Sequence, residues 1–469
     1  MEVFGSSGTR GVVNESLGPE FLLRVAKAAG TVWNADRVAI ARDTRKTGRM
    51  LADAAASGLA SVGTDVDRLG IVPTPGLQAY AEREGVPALM ITASHNPPEF
   101  NGMKLIGPDG VELSVADLER VEEHLLAERF ETVSWDRTGR ARSVDGAQRE
   151  YIDQLHAAVD GAQREYIDQL HAAVDGDLIA DADLTVALDP GHGAGALTSP
   201  EFFRELGCRV VTVNSQPDGH FPGRDPEPVP ENLDDLGRLV ASTDADIGIA
   251  HDGDADRAIF YDERGEYVEG DATFAALAAA ELSQDDTTVS AVNVSQRLVD
   301  VVQSVGATLE LTPIGSTNII SRIRDLRAEG ATVPIAGEGN GGVFFPDYRL
   351  ARDGAYIGAR FLELVAERPL SELVSPYDDY YNVRLNIEYD TDDECRAMLT
   401  AAEARAQGSE ATLDATDGYR LDYGDAWVLA RPSGTEPLVR IYAEAREQER
   451  AEELAEGMRA ALDAARTDA

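Results

Sequence analysis

Short apolar runs alternate along this chain with segments whose apolar residues recur every three or four positions. The runs Arg37–Arg42 (RVAIAR), Pro87–Thr92 (PALMIT), Leu184–Leu188 (LTVAL), Asp246–Ala250 (DIGIA) and Thr288–Val292 (TVSAV) predict buried strands. Leu17–Ala29 and Leu51–Ser61 carry the helical spacing. Strand–helix alternation of this kind predicts α/β layers with parallel strands. The last hundred residues read differently. Strands are predicted at Asn382–Ile387, Ala426–Ala430 and Val439–Ala443, with helices at Asp393–Ala406 and Glu447–Ala465. That is a smaller α+β unit, set off by the proline-bearing stretch Glu372–Asp379.

One segment breaks the pattern. Asp145–Val159 (DGAQREYIDQLHAAV) recurs identically as Asp160–Val174. Two copies are too few for a solenoid. Fifteen residues of helix rotate about 60° beyond whole turns, so one continuous helix would offset the two apolar faces. Asp160-Gly161 at the junction predicts a turn. One copy is expected to pack and the other to be a surplus turn or excursion, with His156 and His171 as exposed helix residues.

Composition narrows the class. The 469 residues correspond to about three or four domains. At 43% apolar, the chain can bury several cores and is not a disordered acidic polymer. The net charge is −42, Lys27, Lys46 and Lys104 are the only lysines, and the other basic residues are arginine. Such a field excludes nucleic acid and anionic membrane as partners. It suits a high-salt cytoplasm, where a Debye length of about 3 Å at 1 M mutes self-repulsion. Neither a membrane-spanning run nor a secretion signal is read, and Cys208 and Cys395 lack metal-type spacing. If the substrate is an anion, the site must be locally basic or hold a metal.

Five segments carry candidate chemistry. In Ala250–Arg257 (AHDGDADR), Asp252, Asp254 and Asp256 alternate after a strand, so their carboxylates can converge on one hard cation such as Mg²⁺. Together with Glu263 they also match four ligand positions of a calcium loop, but Arg257 stands where the sharp turn requires glycine. In Thr92–Pro97 (TASHNP), Ser94 sits at a strand end and either caps a turn or accepts phosphate, with Lys104 of Asn101–Lys104 (NGMK) as a nearby positive charge. Arg431, Ser433, Gly434 and Thr435 of Arg431–Arg440 (RPSGTEPLVR) can form an anion nest. Gly337–Gly342 (GEGNGG), placed after a predicted strand Thr332–Ala336, offers Glu338 and Asn340 to sugar hydroxyls or is simply a glycine-rich turn. Gly5–Gly11 (GSSGTRG) offers Ser6, Thr9 and Arg10 to a phosphate.

Together with Ala41–Arg45 (ARDTR) and Asp189–Ala196 (DPGHGAGA), and in this order, these motifs resemble the α-D-phosphohexomutase superfamily over nearly the whole chain. The resemblance implies three related mixed α/β domains plus a smaller C-terminal α+β domain around a central cleft. On this chain the expected division is 1–143 (phosphoserine domain), 144–256 (metal-binding domain, with the duplication at 145–174), 257–374 (sugar-binding domain) and 375–469 (phosphate-binding domain). It implies Ser94 as the phosphoserine and Asp252, Asp254 and Asp256 as ligands of one Mg²⁺ together with the Ser94 phosphate. Arg10, His95 and Lys104 surround the nucleophile, with Lys104 moving the proton and Arg42 and Arg45 in support. Arg257, Glu338, Asn340, Arg431, Ser433, Gly434 and Thr435 bind substrate.

The implied reaction moves phosphate between C6 and C1 of a hexose, through a hexose bisphosphate that is both intermediate and activator. The expected partner is a phosphosugar, and the resemblance implies a cytoplasmic monomer or homodimer. Many bacterial members read Gly-Glu-x-Ser-Gly-His at the sugar loop, where this chain has Asn340 and Gly342. GEGNGG is similar to the archaeal phosphoglucosamine mutase-like branch. The expected reaction is therefore glucosamine 6-phosphate to glucosamine 1-phosphate. Phosphoglucomutase/phosphomannomutase activity on glucose or mannose phosphates is the alternative, and a non-catalytic Ca²⁺- or sugar-binding protein is the reading from a different class.

Overall fold

The computed structural model describes residues 3–5, 8–144, 155–433 and 437–467, the side chains of 155–162 and 467 excepted. It divides into two compact units, Met1–Gly270 with Asn340–Leu373, and Asp271–Gly339 with Val374–Ala469.

The first unit is built on two sheets. The strand Arg37–Arg42 lies parallel to both Ala88–Ile91 and Asp65–Ile71, and Phe100–Ile106 runs antiparallel beside Ala88–Ile91. The run RVAIAR is apolar on both faces because both are covered. Val38 and Ile40 enter a core with Leu22, Val25, Leu51 and Leu59 from the helices Pro19–Trp33 and Gly48–Ser61. Ala39 and Ala41 enter a second core with Leu77 and Tyr80 of the helix Thr74–Glu84. In the second sheet, Thr185–Asp189 lies parallel to Arg209–Thr212 and Ile247–Ala250, with Ile259–Tyr261 antiparallel. In both sheets the chain leaves the carboxyl end of a buried strand, at Ile91 and at Ala250, into a loop that holds chemistry.

The repeat contributes the helix Leu155–His171, which runs through Asp160-Gly161 without the turn predicted there. A single interior glycine costs a helix only about 1 kcal/mol. The second copy packs: Tyr166, Ile167 and Leu170 are buried. Residues 145–154 and the side chain of His156 lie outside the described residues. His171 is half-buried rather than exposed. Its Nε2 lies 2.8 Å from Glu205 Oε2, and its ring meets Phe202 edge-on.

In the second unit, Thr287–Ala291 lies parallel to Thr308–Thr312 and to Ala336–Glu338. The strand expected at Thr332–Ala336 is thus displaced toward Glu338, with Ala336 and Gly337 paired to Val289 and Ser290. The C-terminal sheet is antiparallel, in the order Tyr381–Glu388, Leu438–Ala445, Ala426–Pro432, Tyr419–Asp422, Thr412–Asp414. The helices Asp392–Gln407 and Gln448–Thr467 cover it through Met398, Ala402, Leu454 and Met458.

Candidate active site

Ser94 is placed by backbone capture. Beyond Ile91, Thr92 Oγ1 donates to Asp43 Oδ2 at 2.7 Å and accepts the Ser94 N–H at 2.8 Å. The fully buried Arg45 then grips the loop. Its Nε donates to Asp43 Oδ2 at 3.0 Å, Nη2 to Ser94 O at 2.9 Å and Asn96 O at 2.5 Å, and Nη1 to Pro97 O at 2.6 Å and Phe100 O at 3.1 Å. Ser94 is held at φ +51°, a left-handed conformation uncommon for serine. Its hydroxyl thereby donates to Asp252 Oδ2 at 2.7 Å, 158 residues away in sequence.

The acidic loop has a matching clamp. Arg224 Nε donates to Asp189 Oδ2 at 2.9 Å, and its Nη2 donates to His251 O at 2.6 Å. Asp252, Asp254 and Asp256 are buried, and each offers a carboxylate oxygen within 4.8 Å of the others. Lys104 Nζ lies between two of them, 3.0 Å from Asp254 Oδ2 and 2.8 Å from Asp256 Oδ2. Thr74 Oγ1 donates to Asp254 Oδ2 at 2.6 Å, and Arg352 Nη2 donates to Asp256 Oδ2 at 2.5 Å. Arg257 Nε stands 3.9 Å from both Asp252 Oδ2 and Asp256 Oδ1.

This donor set fits a hard divalent cation. Asp254 Oδ1 and Asp256 Oδ1 are buried and accept no hydrogen bond among the described residues. Glu263, the twelfth residue of the calcium-loop pattern, instead accepts from Ser371 N at 3.1 Å, and a strand precedes the loop. Burial, together with Asp256 and Asp254, pushes the Asp252 carboxyl well above the usual range. Burial acts in the same direction on Asp256, but Arg352, Lys104 and Arg257 outweigh it and the net shift is downward. Burial pulls the Lys104 ammonium down, yet Asp254, Asp256 and Glu112 more than reverse that, so it keeps its proton. Burial, then Arg257 and Arg10, drives the His95 imidazole down to about 2, leaving it neutral. The Arg10 guanidinium is lowered by burial, then by Arg257 and Arg352, and its Nη1 donates to Asn96 Oδ1 at 3.0 Å. Four cations thus crowd one acidic trio in a chain of net charge −42.

Four domain families match the chain in order. They are described as phosphoglucomutase/phosphomannomutase alpha/beta/alpha domain I over residues 1–132, domain II over 164–265, domain III over 269–380, and the C-terminal domain over 383–461. The chain belongs to the phosphoglucomutase/phosphomannomutase family. It is a member of the α-D-phosphohexomutase superfamily, with three α/β domains and a smaller C-terminal one, and an enzyme that transfers phosphate intramolecularly. It is 39% identical to a "Phosphoglucomutase/phosphomannomutase" of Thermococcus kodakarensis, covering 97% of each chain. It is also 39% identical to a "Probable phosphoglucosamine mutase" of Methanopyrus kandleri, covering 96% of this chain and 95% of that one. A Burkholderia thailandensis crystal structure, titled as a phosphoglucomutase/phosphomannomutase family protein, superposes with a TM-score of 0.83 at 28% identity, over 99% of this chain and 97% of that one.

Within this phosphohexomutase, the first unit brings together Ser94, His95, Lys104, Arg10, Asp252, Asp254, Asp256 and Arg257. Asn340 lies in the same unit. Its Oδ1 accepts the Gly342 N–H at 3.0 Å, and Ala258 N donates to Gly341 O at 3.1 Å, which sets the turn beside Arg257. Glu338 is buried at the end of Ala336–Glu338 in the second unit. There too, Arg431 Nε pairs with Asp417 Oδ2 at 3.0 Å, and Ser433 N donates to Leu438 O at 2.8 Å. Ser6, Gly434 and Thr435 lie outside the described residues. No helix among the described residues is long and apolar enough to cross a membrane.

No motif in the sequence marks Thr74, Arg352 or Arg224; only the fold carries Thr74 to Asp254, Arg352 to Asp256, and Arg224 to Asp189 and the His251 carbonyl. The approach of the two loops leaves no room for a side chain at Gly253, where an added Cβ would stand 2.6 Å from Ser94 O. Gly253→Ala must therefore part Ser94 from Asp252. Since misplacement by about 1 Å can cost about 10²-fold in rate, kcat is expected to fall by about that factor. Steady-state kinetics with a normal thermal transition would check it.

Proposed function

We propose that this phosphohexomutase interconverts glucosamine 6-phosphate and glucosamine 1-phosphate through a phosphorylated Ser94 and a hexose bisphosphate. The observation that carries the reading is the Ser94 hydroxyl held 2.7 Å from Asp252 at the edge of the three-carboxylate cluster. Asp252, Asp254 and Asp256 hold one Mg²⁺, which when bound spreads the charge of the transferring phosphoryl group. Arg257 and Arg10 give that charge further stabilisation. As phosphate passes from Ser94 Oγ to a sugar hydroxyl, the hydroxyl gives up a proton and the serine oxygen gains one. Lys104, an ammonium beside Asp254 and Asp256, is our candidate to give its proton to the serine oxygen and to take one back from the sugar hydroxyl. The neutral His95 lines the nucleophile without adding a charge.

Glu338 and Asn340 read the sugar hydroxyls, and Arg431, Ser433, Gly434 and Thr435 take the phosphate that is not reacting. These roles rest on the motifs GEGNGG and RPSGTEP. The division into domains of residues 1–143, 144–256, 257–374 and 375–469 is part of the same proposal. Support for the amino sugar comes from the GEGNGG loop and from archaeal relatives named for phosphoglucosamine. The Thermococcus relative's name favours glucose and mannose phosphates as the second reading.

The test is kcat/KM for glucosamine, glucose and mannose 6-phosphates at high salt with Mg²⁺, each repeated after chelation. Glucosamine 6-phosphate is expected to lead by at least about tenfold, the value of one good polar contact. A glucose or mannose phosphate in first place would replace the substrate assignment, and undiminished turnover after chelation would remove the cation.

A further inference from the structure

The motif Asp189–Ala196 (DPGHGAGA) carries none of the chemistry, yet it fastens a loop that reaches both catalytic loops. Its His192 is stitched to residues 214–223 at four points. The His192 N–H donates to Asn214 O at 2.7 Å, and its carbonyl accepts the Asp218 N–H at 3.0 Å. The ring donates from Nδ1 to Gln216 O at 2.8 Å and accepts the Gly223 N–H at Nε2, 3.2 Å away. Just beyond stands Arg224, the clamp on Asp189 and the His251 carbonyl.

Between these anchors the loop turns inward. Gly219 pairs with Arg45 in an isolated bridge, and a Cβ there would stand 2.2 Å from Thr44 O, so the backbone lies directly on the ARDTR segment. Phe221 follows at φ +50°, a left-handed conformation that a bulky side chain adopts only where its surroundings hold it there. The buried ring faces the Arg45 guanidinium, which lies 5.2 Å from the ring centroid. The tip of the ring lies against the other loop. A Cβ added at Gly253 would stand 3.7 Å from Phe221 Cζ as well as 2.6 Å from Ser94 O. Arg45 holds residues 43–100 and Arg224 holds residues 189–251, each on its own side. Phe221 lies against both: the side chain that grips the Ser94 carbonyl, and the glycine that follows Asp252.

We infer that Phe221 is a positioning residue for phosphoryl transfer, the spacer that fixes how far the Ser94 loop stands from the Asp252 loop. This rests on the reading of Ser94 as the phosphoryl carrier beside a cation held by the aspartates. The experiment places Phe221→Leu and Phe221→Tyr in the wild type and in Gly253→Ala. It reads kcat and KM for whichever hexose phosphate turns over fastest, and Mn²⁺ affinity by electron paramagnetic resonance. In the wild type each substitution is expected to lower kcat by about tenfold, a shift smaller than the displacement of about 1 Å that costs about 10²-fold. KM and Mn²⁺ affinity should stay within about threefold, because each loop keeps its own clamp.

In Gly253→Ala the two substitutions should act in opposite directions. Leucine shortens the side chain and gives the new methyl room, so kcat should rise at least about threefold above Gly253→Ala alone. Tyrosine adds an oxygen at the ring tip and should lower kcat by about a further tenfold. A general loss of packing would not give couplings of opposite sign. Wild-type kcat in either single variant overturns the inference, and so does a leucine that multiplies the loss in Gly253→Ala. A fall in Mn²⁺ affinity that matches the fall in kcat also overturns it, since the ring would then prop the cation loop alone. Phe221→Tyr keeps the ring and carries the test by itself if the leucine variant does not fold. Turnover retained in Ser94→Ala, or a wild type that takes up no Mn²⁺, overturns the underlying reading and this inference with it. Ser94-dependent turnover with indifferent Phe221 variants defeats this inference alone.

Discussion

Ser94→Ala is expected to lower kcat by at least about 10⁴-fold, the scale on which enzymes lose rate when a covalent nucleophile is removed. The substitution deletes one oxygen. Thr92 still accepts the residue-94 N–H, and Arg45 still holds its carbonyl, so the loop keeps its place. The carboxylate cluster loses only the hydroxyl that donates to Asp252. Binding of a hexose phosphate, followed by calorimetry, should therefore change by no more than about threefold. Turnover within tenfold of the wild type would remove Ser94 from the phosphoryl path. Loss of binding alongside turnover would mean that the hydroxyl shapes the site rather than carries phosphate.

Arg45→Met is expected to destabilise the first unit by about 3–5 kcal/mol, the usual cost of leaving a buried charge without its partner. The methionine fills space but donates nothing. Asp43, buried completely, would lose the Nε donor, and the carbonyls of Ser94, Asn96, Pro97 and Phe100 would lose theirs. Burial already raises the Asp43 carboxyl while Arg45 opposes the rise, so removing Arg45 raises it further. An acid whose folded pKa exceeds its unfolded value favours the folded state in protonated form and loses stability as pH climbs above the unfolded value. The deficit should therefore widen from pH 5 to pH 8, as read from thermal transitions of variant and parent at each pH. A deficit that shrinks across that interval would show that Asp43 is not the group left exposed to the loss.

The strands were legible because a parallel strand covered on both faces needs a run without polar side chains through its middle, and VAIA within RVAIAR and IGIA within DIGIA supply it. Ser94 and the aspartates were legible because strand ends and alternating carboxylates carry a chemical meaning of their own. Arg45 could be seen in ARDTR but not what it does, since its five contacts join residues 43 to 100 across the sheet. Thr74 and Arg352 carry no signal at all, because a threonine after a proline and an arginine in an edge strand mean nothing until folding brings them to Asp254 and Asp256. The junction glycine misled in the opposite direction. Local preference argued for a turn, and the helix passed through it at small cost.

The paired guanidinium grips set how the two loops respond to added salt. Dissolved ions weaken attraction between charges they can surround, as at the exposed pairs Arg24–Glu128 and Arg396–Asp393. Arg45 with Asp43, and Arg224 with Asp189, are sealed from solvent almost completely. Concentrated salt can therefore quench the repulsion of the outer carboxylates while leaving the distance between the two catalytic loops untouched.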